Sequence, residues 1–232
     1  MVPGEAAGVS GPTDIITVAV VDSGVNVPHP HLPGIAGGVS IDLEGVESDD
    51  YVDRLGHGTA AAAAIHEKAP SAELWAVKVF DKRLATTVAN LVAAIRWAVD
   101  RKMRLVNLSL GTPNDFRKIE LAPAIEAAVE AGTIIVSAAE HDGQLWYPGS
   151  LPGVVGVVMD AEADRDGVTV VHGARGPVLR ASPYPRPIPG VPPERNFNGI
   201  SFAVANATGV VAQFLSARPD VRTASDVIEA LT

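Results

Sequence analysis

The feature that most constrains the fold is a continuous run of apolar and β-branched residues from Ile15 to Val21. A strand that is apolar on both faces is typical of a parallel sheet with both faces covered. Apolar runs then alternate with segments of helical period. The predicted strands are 74–80, 105–110, 133–138 and 154–159, and the predicted helices are 57–68, 87–101, 121–131, 201–215 and 223–231. This alternation predicts an α/β fold, a mostly parallel twisted sheet with helices on both faces.

Length and composition predict one domain and limit its partners. A chain of 232 residues with 47% hydrophobic content can bury one sizeable core. We therefore expect a flexible N-terminal arm over 1–13 and a single domain over 14–232. The net charge of −9 argues against nucleic acid and anionic membranes as partners, and no apolar run reaches the length of a membrane span. The absence of cysteine excludes disulfides and thiolate metal sites.

The first residues lack the basic region and apolar stretch that are typical of a signal peptide. The sequence therefore favours a cytoplasmic protein. The alternative is a secreted protein whose leader has been removed.

Three short motifs each carry a residue that can act in nucleophilic catalysis. Asp22 ends the first predicted strand, where parallel sheets place their sites. His57 lies at a helix entry in Gly56-His57-Gly58-Thr59, and Ser201 begins a helix whose free N–H groups suit a developing oxyanion. Alone, each fits a strand-end turn, a helix-entry residue or an N-cap. In combination, a serine, a base and an orienting carboxylate predict a catalytic triad.

These motifs, in the order Asp, His, Ser, resemble those of subtilases, the subtilisin-like serine peptidases. Segments 69–79 and 106–111 and the motif Tyr147-Pro148-Gly149 are similar to further family motifs, so the resemblance runs from about Ile15 to the C-terminus. It implies a subtilisin-like three-layer fold with Asp22, His57 and Ser201 as the triad. It also implies a set of candidate substrate-binding residues: Ser109, Leu110, Gly111, Glu140, Trp146 and Asn198.

The sequence departs from the family pattern at the oxyanion hole. The family supplies an asparagine after the strand predicted at 133–138, and here His141 stands in its place, with Glu140 in place of a glycine. An imidazole N–H can donate, so we expect an oxyanion hole made of His141 and the backbone N–H of Ser201. The alternative is that His141 is a loop residue without a role. Trp146 either shortens the first specificity pocket or belongs to the core, and both interpretations stay open.

The sequence predicts no metal and no cofactor. His29 and His31 form a pair, but no third ligand is near them in the sequence. The predicted helix 57–68 runs directly to Pro70, without the insertion that binds calcium in many subtilases. The acidic segment 42–53 is interpreted as a solvated loop; a cation site, or a surface that attracts basic peptides, is the alternative.

We therefore expect a serine endopeptidase that acts on a peptide or protein through an acyl-enzyme. The altered oxyanion site and short loops favour narrow specificity, such as maturation of a precursor peptide. One alternative is a peptide ligase or macrocyclase that uses the same acyl-enzyme. The other is a pseudo-protease that binds peptides without cutting them.

Overall fold

The computed structural model describes residues 15–232, apart from the side chain of Glu194, so the predicted arm over 1–13 lies outside the described residues. The strands are β1 (Thr17–Asp22), β2 (Gly37–Ile41), β3 (Glu47–Ser48), β4 (Glu73–Lys78), β5 (Leu105–Leu108), β6 (Ile134–Ala138), β7 (Glu140–His141), β8 (Gln144–Leu145), β9 (Val154–Met159), β10 (Thr169–Gly173) and β11 (Gly176–Ala181). The helices are α1 (His57–Lys68), α2 (Val88–Asp100), α3 (Lys118–Glu130), α4 (Ile200–Ser216) and α5 (Ala224–Ala230), with short 3₁₀ turns at Asp115–Arg117 and Pro193–Arg195.

One nine-stranded sheet organises these elements, in the order β10-β11-β9-β6-β5-β1-β4-β2-β3. All neighbours from β11 to β2 are parallel, whereas β10 and β3 pair antiparallel at the edges. The short strands β7 and β8 form a separate hairpin. The α/β class predicted from the sequence is therefore confirmed, and the carboxyl end of β1, at Asp22, lies in the middle of the sheet.

Helices cover both faces of the sheet, which explains why β1 is apolar from Val18 to Val21. Val18 and Val20 pack into a core with residues of α1, α4 and α5. The intervening Ala19 and Val21 pack into the opposite core with residues of α2 and α3. Because successive side chains of a strand point to opposite faces, both sets must be apolar. The result is a three-layer arrangement.

Close packing of α1 against α4 sets the positions of their first residues. A Cβ at Gly209 of α4 would lie 3.0 Å from Lys68 Cβ and 3.1 Å from Ile65 Cα of α1. Only a residue without a side chain lets the two helix backbones approach this closely. Since α1 begins at His57 and α4 begins at Ile200, this contact brings their starts, and with them His57 and Ser201, to one region of the molecule.

Some predicted boundaries were wrong. The prolines between Pro183 and Pro193 predict an ordered loop over 179–198, but residues 179–181 are the end of β11, where Leu179 and Ala181 are buried. The strand predicted at 74–80 ends at Lys78. Within 15–232, no helix combines the length and apolar character needed to cross a membrane.

Candidate active site

Asp22 and His57 form a buried pair where the end of β1 meets the start of α1. His57 Nδ1 lies 2.8 Å from Asp22 Oδ1 and 2.9 Å from Oδ2. Neither residue is more than 6% exposed. A carboxylate can only accept hydrogen bonds, so Nδ1 carries a hydrogen and Nε2 of a neutral imidazole is left to accept a proton. This is the arrangement that a general base requires.

Glycines on either side of this pair allow the strand and the helix to meet. A Cβ at Gly58 would lie 2.2 Å from the carbonyl oxygen of Gly24 and 3.1 Å from Asp22 Cβ. Gly24 has φ +99°, and its Cβ would lie 2.2 Å from the carbonyl oxygen of Tyr51. Any larger side chain at Gly24 or Gly58 would push the two elements apart, so these motif glycines have a steric cause.

The surroundings of His57 favour its protonated form. Burial of the ring by itself lowers the pKa of His57, but the hydrogen bond and charge of Asp22, together with the charge of Asp53, raise that pKa above its ordinary value. Aromatic rings enclose the imidazole as well. The ring of Phe202 lies 5.0 Å from it between centroids, and the ring of Phe197 lies edge-on at 6.1 Å. The imidazole is therefore both fixed in place and largely shielded from water.

Ser201 is the second residue of α4 and is joined to the end of β5. Its hydroxyl donates to the carbonyl oxygen of Ser109 at 3.1 Å, and the hydroxyl of Ser109 donates to the carbonyl oxygen of Ser201 at 3.0 Å. No hydrogen bond joins Ser201 Oγ to His57 among the described residues. Catalytic hydrogen bonds are often long or absent in ligand-free structures. Attack by Ser201 therefore requires its hydroxyl to turn from Ser109 towards His57.

A buried chain of polar side chains extends this connection. Asn107 Nδ2 donates to Ser109 Oγ at 2.8 Å, and Thr208 Oγ1 lies 3.0 Å from Asn107 Oδ1. Thr208 belongs to α4, as Ser201 does, so the chain leaves the helix at one point and returns to it at another. Helix α4 is thereby attached at two separate places, to Asn107 within β5 and to Ser109 directly after it.

His57 and Ser201 line one cleft of about 320 Å³. The lining consists of His57, Phe80, Leu84, Ala85, Thr86, Ser109, Leu110, Gly111, Ala138, His141, Trp146, Ile200, Ser201 and Val204. The cleft therefore brings together two residues of the predicted triad, His57 and Ser201, and the predicted oxyanion donor, His141. It also includes four of the six predicted substrate-binding residues, Ser109, Leu110, Gly111 and Trp146.

The structure places Glu140 and Asn198 outside this lining. Glu140 and His141 are consecutive residues of β7, so their side chains point to opposite faces. Glu140 Oε1 accepts a hydrogen bond from the backbone N–H of Ala174 at 2.5 Å, and the side chain lines a different cavity. Asn198 is exposed on the segment before α4.

His141 lies in the β7–β8 hairpin and faces the cleft. Its ring packs edge-on against Trp146 at 5.7 Å between centroids, and Nε2 lies 3.5 Å from Asp142 Oδ2. Nδ1 is buried and has no hydrogen-bond partner within the part of the chain that the structure describes. The residue thus lines the cleft that holds Ser201, and one of its ring nitrogens is buried without a partner among the described residues.

The hairpin that carries His141 was missed in the sequence, although a signal for it exists. Asp142 and Gly143 both have positive φ, at 50° and 72°. An Asp-Gly pair is the strongest short-range signal for a two-residue turn of this kind. Trp146, which follows the hairpin, packs against the core and also lines the cleft.

Asp53 was also missed, because it belongs to the acidic segment interpreted as a solvated loop. The structure shows Asp53 only 5% exposed, between the end of β1 and the first turn of α1. Its position four residues before His57 is the signal that could have found it. Within 15–232, no group of three or more histidine or acidic side chains is arranged to hold a metal ion.

Comparisons with known proteins give a consistent result. The profile of the Subtilase family matches residues 13–173. The chain is similar to the thermostable alkaline protease of Halalkalibacterium halodurans, with 33% identity over 222 residues that cover 87% of this chain and 57% of that relative. The chain thus spans little more than half the length of this relative.

Two solved structures share the fold. One is described as the S41 psychrophilic protease, with a TM-score of 0.71, 25% identity, and coverage of 93% of this chain and 81% of that one. The other is a lanthipeptide protease, with a TM-score of 0.66, 18% identity, and coverage of 92% and 78%. The second likeness, at such low identity, concerns the fold alone.

Proposed function

This chain belongs to the subtilase family, and we propose that it is a serine endopeptidase that cleaves peptide bonds through an acyl-enzyme. The observation that carries the proposal is the buried Asp22–His57 pair at 2.8 Å, in one cleft with Ser201. A serine hydroxyl is a weak nucleophile without a base, and that base must be held in the correct tautomer.

In the proposed reaction, Ser201 Oγ attacks the carbonyl carbon of the scissile bond while its proton moves to His57 Nε2. Nε2 then gives that proton to the leaving amine as the C–N bond breaks, and an ester to Ser201 remains. Water attacks the ester, its proton passes through Nε2 to Ser201 Oγ, and the free acid leaves. Asp22 holds Nδ1–H throughout and stabilises the imidazolium that forms in each step.

Two donors are proposed for the oxyanion. The backbone N–H of Ser201 is in the first turn of α4, where N–H groups have no partner within the helix. The imidazole of His141 would supply the second donor from across the cleft. Both act only if their N–H groups point to the oxygen on which charge develops.

We further propose narrow specificity, with a precursor peptide as substrate. The indole of Trp146 occupies part of a cleft of only about 320 Å³, which limits the size of the side chain that can enter. The test is mass spectrometry of products from a peptide library: cleavage after one or a few residue types is expected, and broad digestion would contradict the proposal. Ligated products in the same spectra would identify a transferase instead.

A pseudo-protease is a second candidate, favoured by one observation. Ser201 Oγ donates to Ser109 rather than to His57, so the nucleophile is not paired with its base. A fluorescent fluorophosphonate separates the two candidates, because it reacts only with an activated serine. An active peptidase should be labelled, and Ser201→Ala should abolish the labelling. A folded wild-type protein that does not react would support the pseudo-protease.

A further inference from the structure

Asp53 is a buried carboxylate with every hydrogen bond directed at the segments that hold Asp22 and His57. Its Oδ1 accepts from Ser23 Oγ at 2.8 Å and from the backbone N–H groups of Leu55 and Gly56 at 2.9 and 2.8 Å. Its Oδ2 accepts from the N–H and the hydroxyl of Thr59 at 2.9 and 2.6 Å. Ser23 directly follows Asp22, whereas Leu55, Gly56 and Thr59 lie on both sides of His57 in the sequence.

Ser23 extends this network to the next residue of α1. While its hydroxyl donates to Asp53, its Oγ accepts from the backbone N–H of Gly58 at 2.9 Å. The residue after Asp22 and the residue after His57 are therefore joined through one hydroxyl. Loss of the Asp53 carboxylate would release Ser23, and with it the contact that sets the distance between β1 and α1.

Asp53 is also ionised and close enough to act on the imidazole. Burial alone would raise the pKa of Asp53, but the hydrogen bonds from Thr59, Leu55 and Ser23 hold it below the usual range of an aspartate. The charged groups that bear on His57 among the described residues are Asp22 and Asp53. The other neighbours of the ring, Phe197 and Phe202, are uncharged.

We propose that Asp53 is a positioning residue of the active site, a second carboxylate that fixes His57 against Asp22 and supports its protonated form during the reaction. This inference rests on the proposed peptidase function. A residue with a purely structural role would affect stability but leave the ionisation of His57 unchanged, so the two roles can be distinguished by measurement.

The test uses the labelling kinetics of a fluorescent fluorophosphonate with Asp53→Asn, followed from acidic to neutral pH. The maximal labelling rate should fall by about tenfold to a hundredfold, the effect of displacing a catalytic group by about an ångström. The half-saturating probe concentration should change little. The acidic limb of the pH profile should move to lower pH, because one negative charge near the imidazolium is removed.

Matched controls isolate the effect. Asp50→Asn removes an exposed carboxylate of the same loop, which pairs with Arg54, and should leave both the rate and the acidic limb unchanged. Ser23→Ala keeps the charge of Asp53 but breaks its link to Gly58, so the rate should fall while the acidic limb stays in place.

The outcomes distinguish the two levels of the proposal. If the folded wild-type protein does not react, the peptidase function fails. If the wild-type protein reacts and Asp53→Asn has the same rate and the same acidic limb, only the role of Asp53 fails. If Asp53→Asn does not fold, Ser23→Ala decides: an unchanged labelling rate in this variant would overturn the proposal.

Discussion

The candidate active site has two halves, one around the base His57 and one around the nucleophile Ser201. They differ in how firmly the protein holds their side chains in position for the reaction. In the base half, made of Asp22, Ser23, Asp53, His57 and Gly58, buried hydrogen bonds and close glycine packing fix the imidazole. In the nucleophile half, made of Ser109, His141 and Ser201, the serine hydroxyl donates to the Ser109 carbonyl rather than to the base, and His141 lies on a short hairpin. The base is thus ready without a ligand, whereas the nucleophile and the oxyanion donor must still be brought into position.

The largest effect should come from breaking the base half at Asp22. Asp22→Asn should lower kcat by about 10⁴, because an amide no longer holds the tautomer in which Nε2 is free. Hydrolysis of the best library peptide and circular dichroism of the variant would be measured together. A loss of less than tenfold in a well-folded variant would mean that the base half is not what limits the reaction.

A smaller loss is expected from the nucleophile half at His141. His141→Ala should lower kcat by about tenfold to a thousandfold with little change in KM, the effect of removing one donor to the transition state. Labelling of Ser201 should persist at a reduced rate. His141→Asn is the informative partner variant, since an amide can also donate. Full kcat in His141→Ala would assign the oxyanion hole to other groups.

The pH dependence of the free energy of unfolding should report on the hydrogen bonds that Asp53 accepts in the base half. The folded-state pKa of Asp53 is lowered, so its carboxylate stabilises the fold at pH values above the unfolded-state pKa of about 3.9, and this contribution is lost as pH falls through the folded-state pKa. Asp53→Asn should therefore cost about 1–3 kcal/mol near neutral pH, because buried donors lose their acceptor. Denaturant unfolding of both proteins should converge in acid; a pH-independent difference would contradict this.

The smallest effect should be that of calcium. The carboxylate of Asp53 already accepts hydrogen bonds at both oxygens. Among the residues that the structure describes, the other acidic side chains of segment 42–53 do not converge with two further ligands on a cation position. Melting temperatures measured with calcium chloride, with a chelator, and with magnesium chloride as an ionic-strength control should coincide. A clear rise with calcium alone would indicate a cation site, because a ligand of the folded state raises its stability.

The five central strands, β9, β6, β5, β1 and β4, could be predicted from sequence, because they are largely apolar on both faces. The apolar run 15–21 predicts a buried strand. The alternation of such apolar runs with segments of helical period predicts a parallel sheet. Residues 179–181 were mistaken for loop because prolines follow them closely, although Leu179 and Ala181 pack into the core. The high proline content of the whole segment 179–198 therefore hides the last three residues of a strand at its start.

The residues of the candidate site could be predicted where they lie in short sequence motifs. They could not be predicted where their role depends on the direction in which a side chain points. Asp22, His57 and Ser201 stand out because glycines surround them. The opposite facing of Glu140 and His141 depends on a hairpin of two-residue strands, too short for a periodic signal. Asp53 resembles its exposed neighbours in type, and only the three-dimensional meeting of β1 and α1 buries it. The direction of the Ser201 hydroxyl is a rotamer, which sequence does not encode.

The double attachment of α4 to β5 has a mechanical consequence. Ser201 and Thr208 are seven residues apart, about 10 Å along a helix axis. Thr208 connects to Asn107 of β5, and Ser201 connects to Ser109, the residue directly after β5. Sliding the helix by one residue, about 1.5 Å, would break both connections at once, and rotating it would separate at least one of them. Sheet and helix therefore move as one body, so thermal motion of the sheet carries the nucleophile with it and leaves its distance to the carboxyl ends of the strands unchanged.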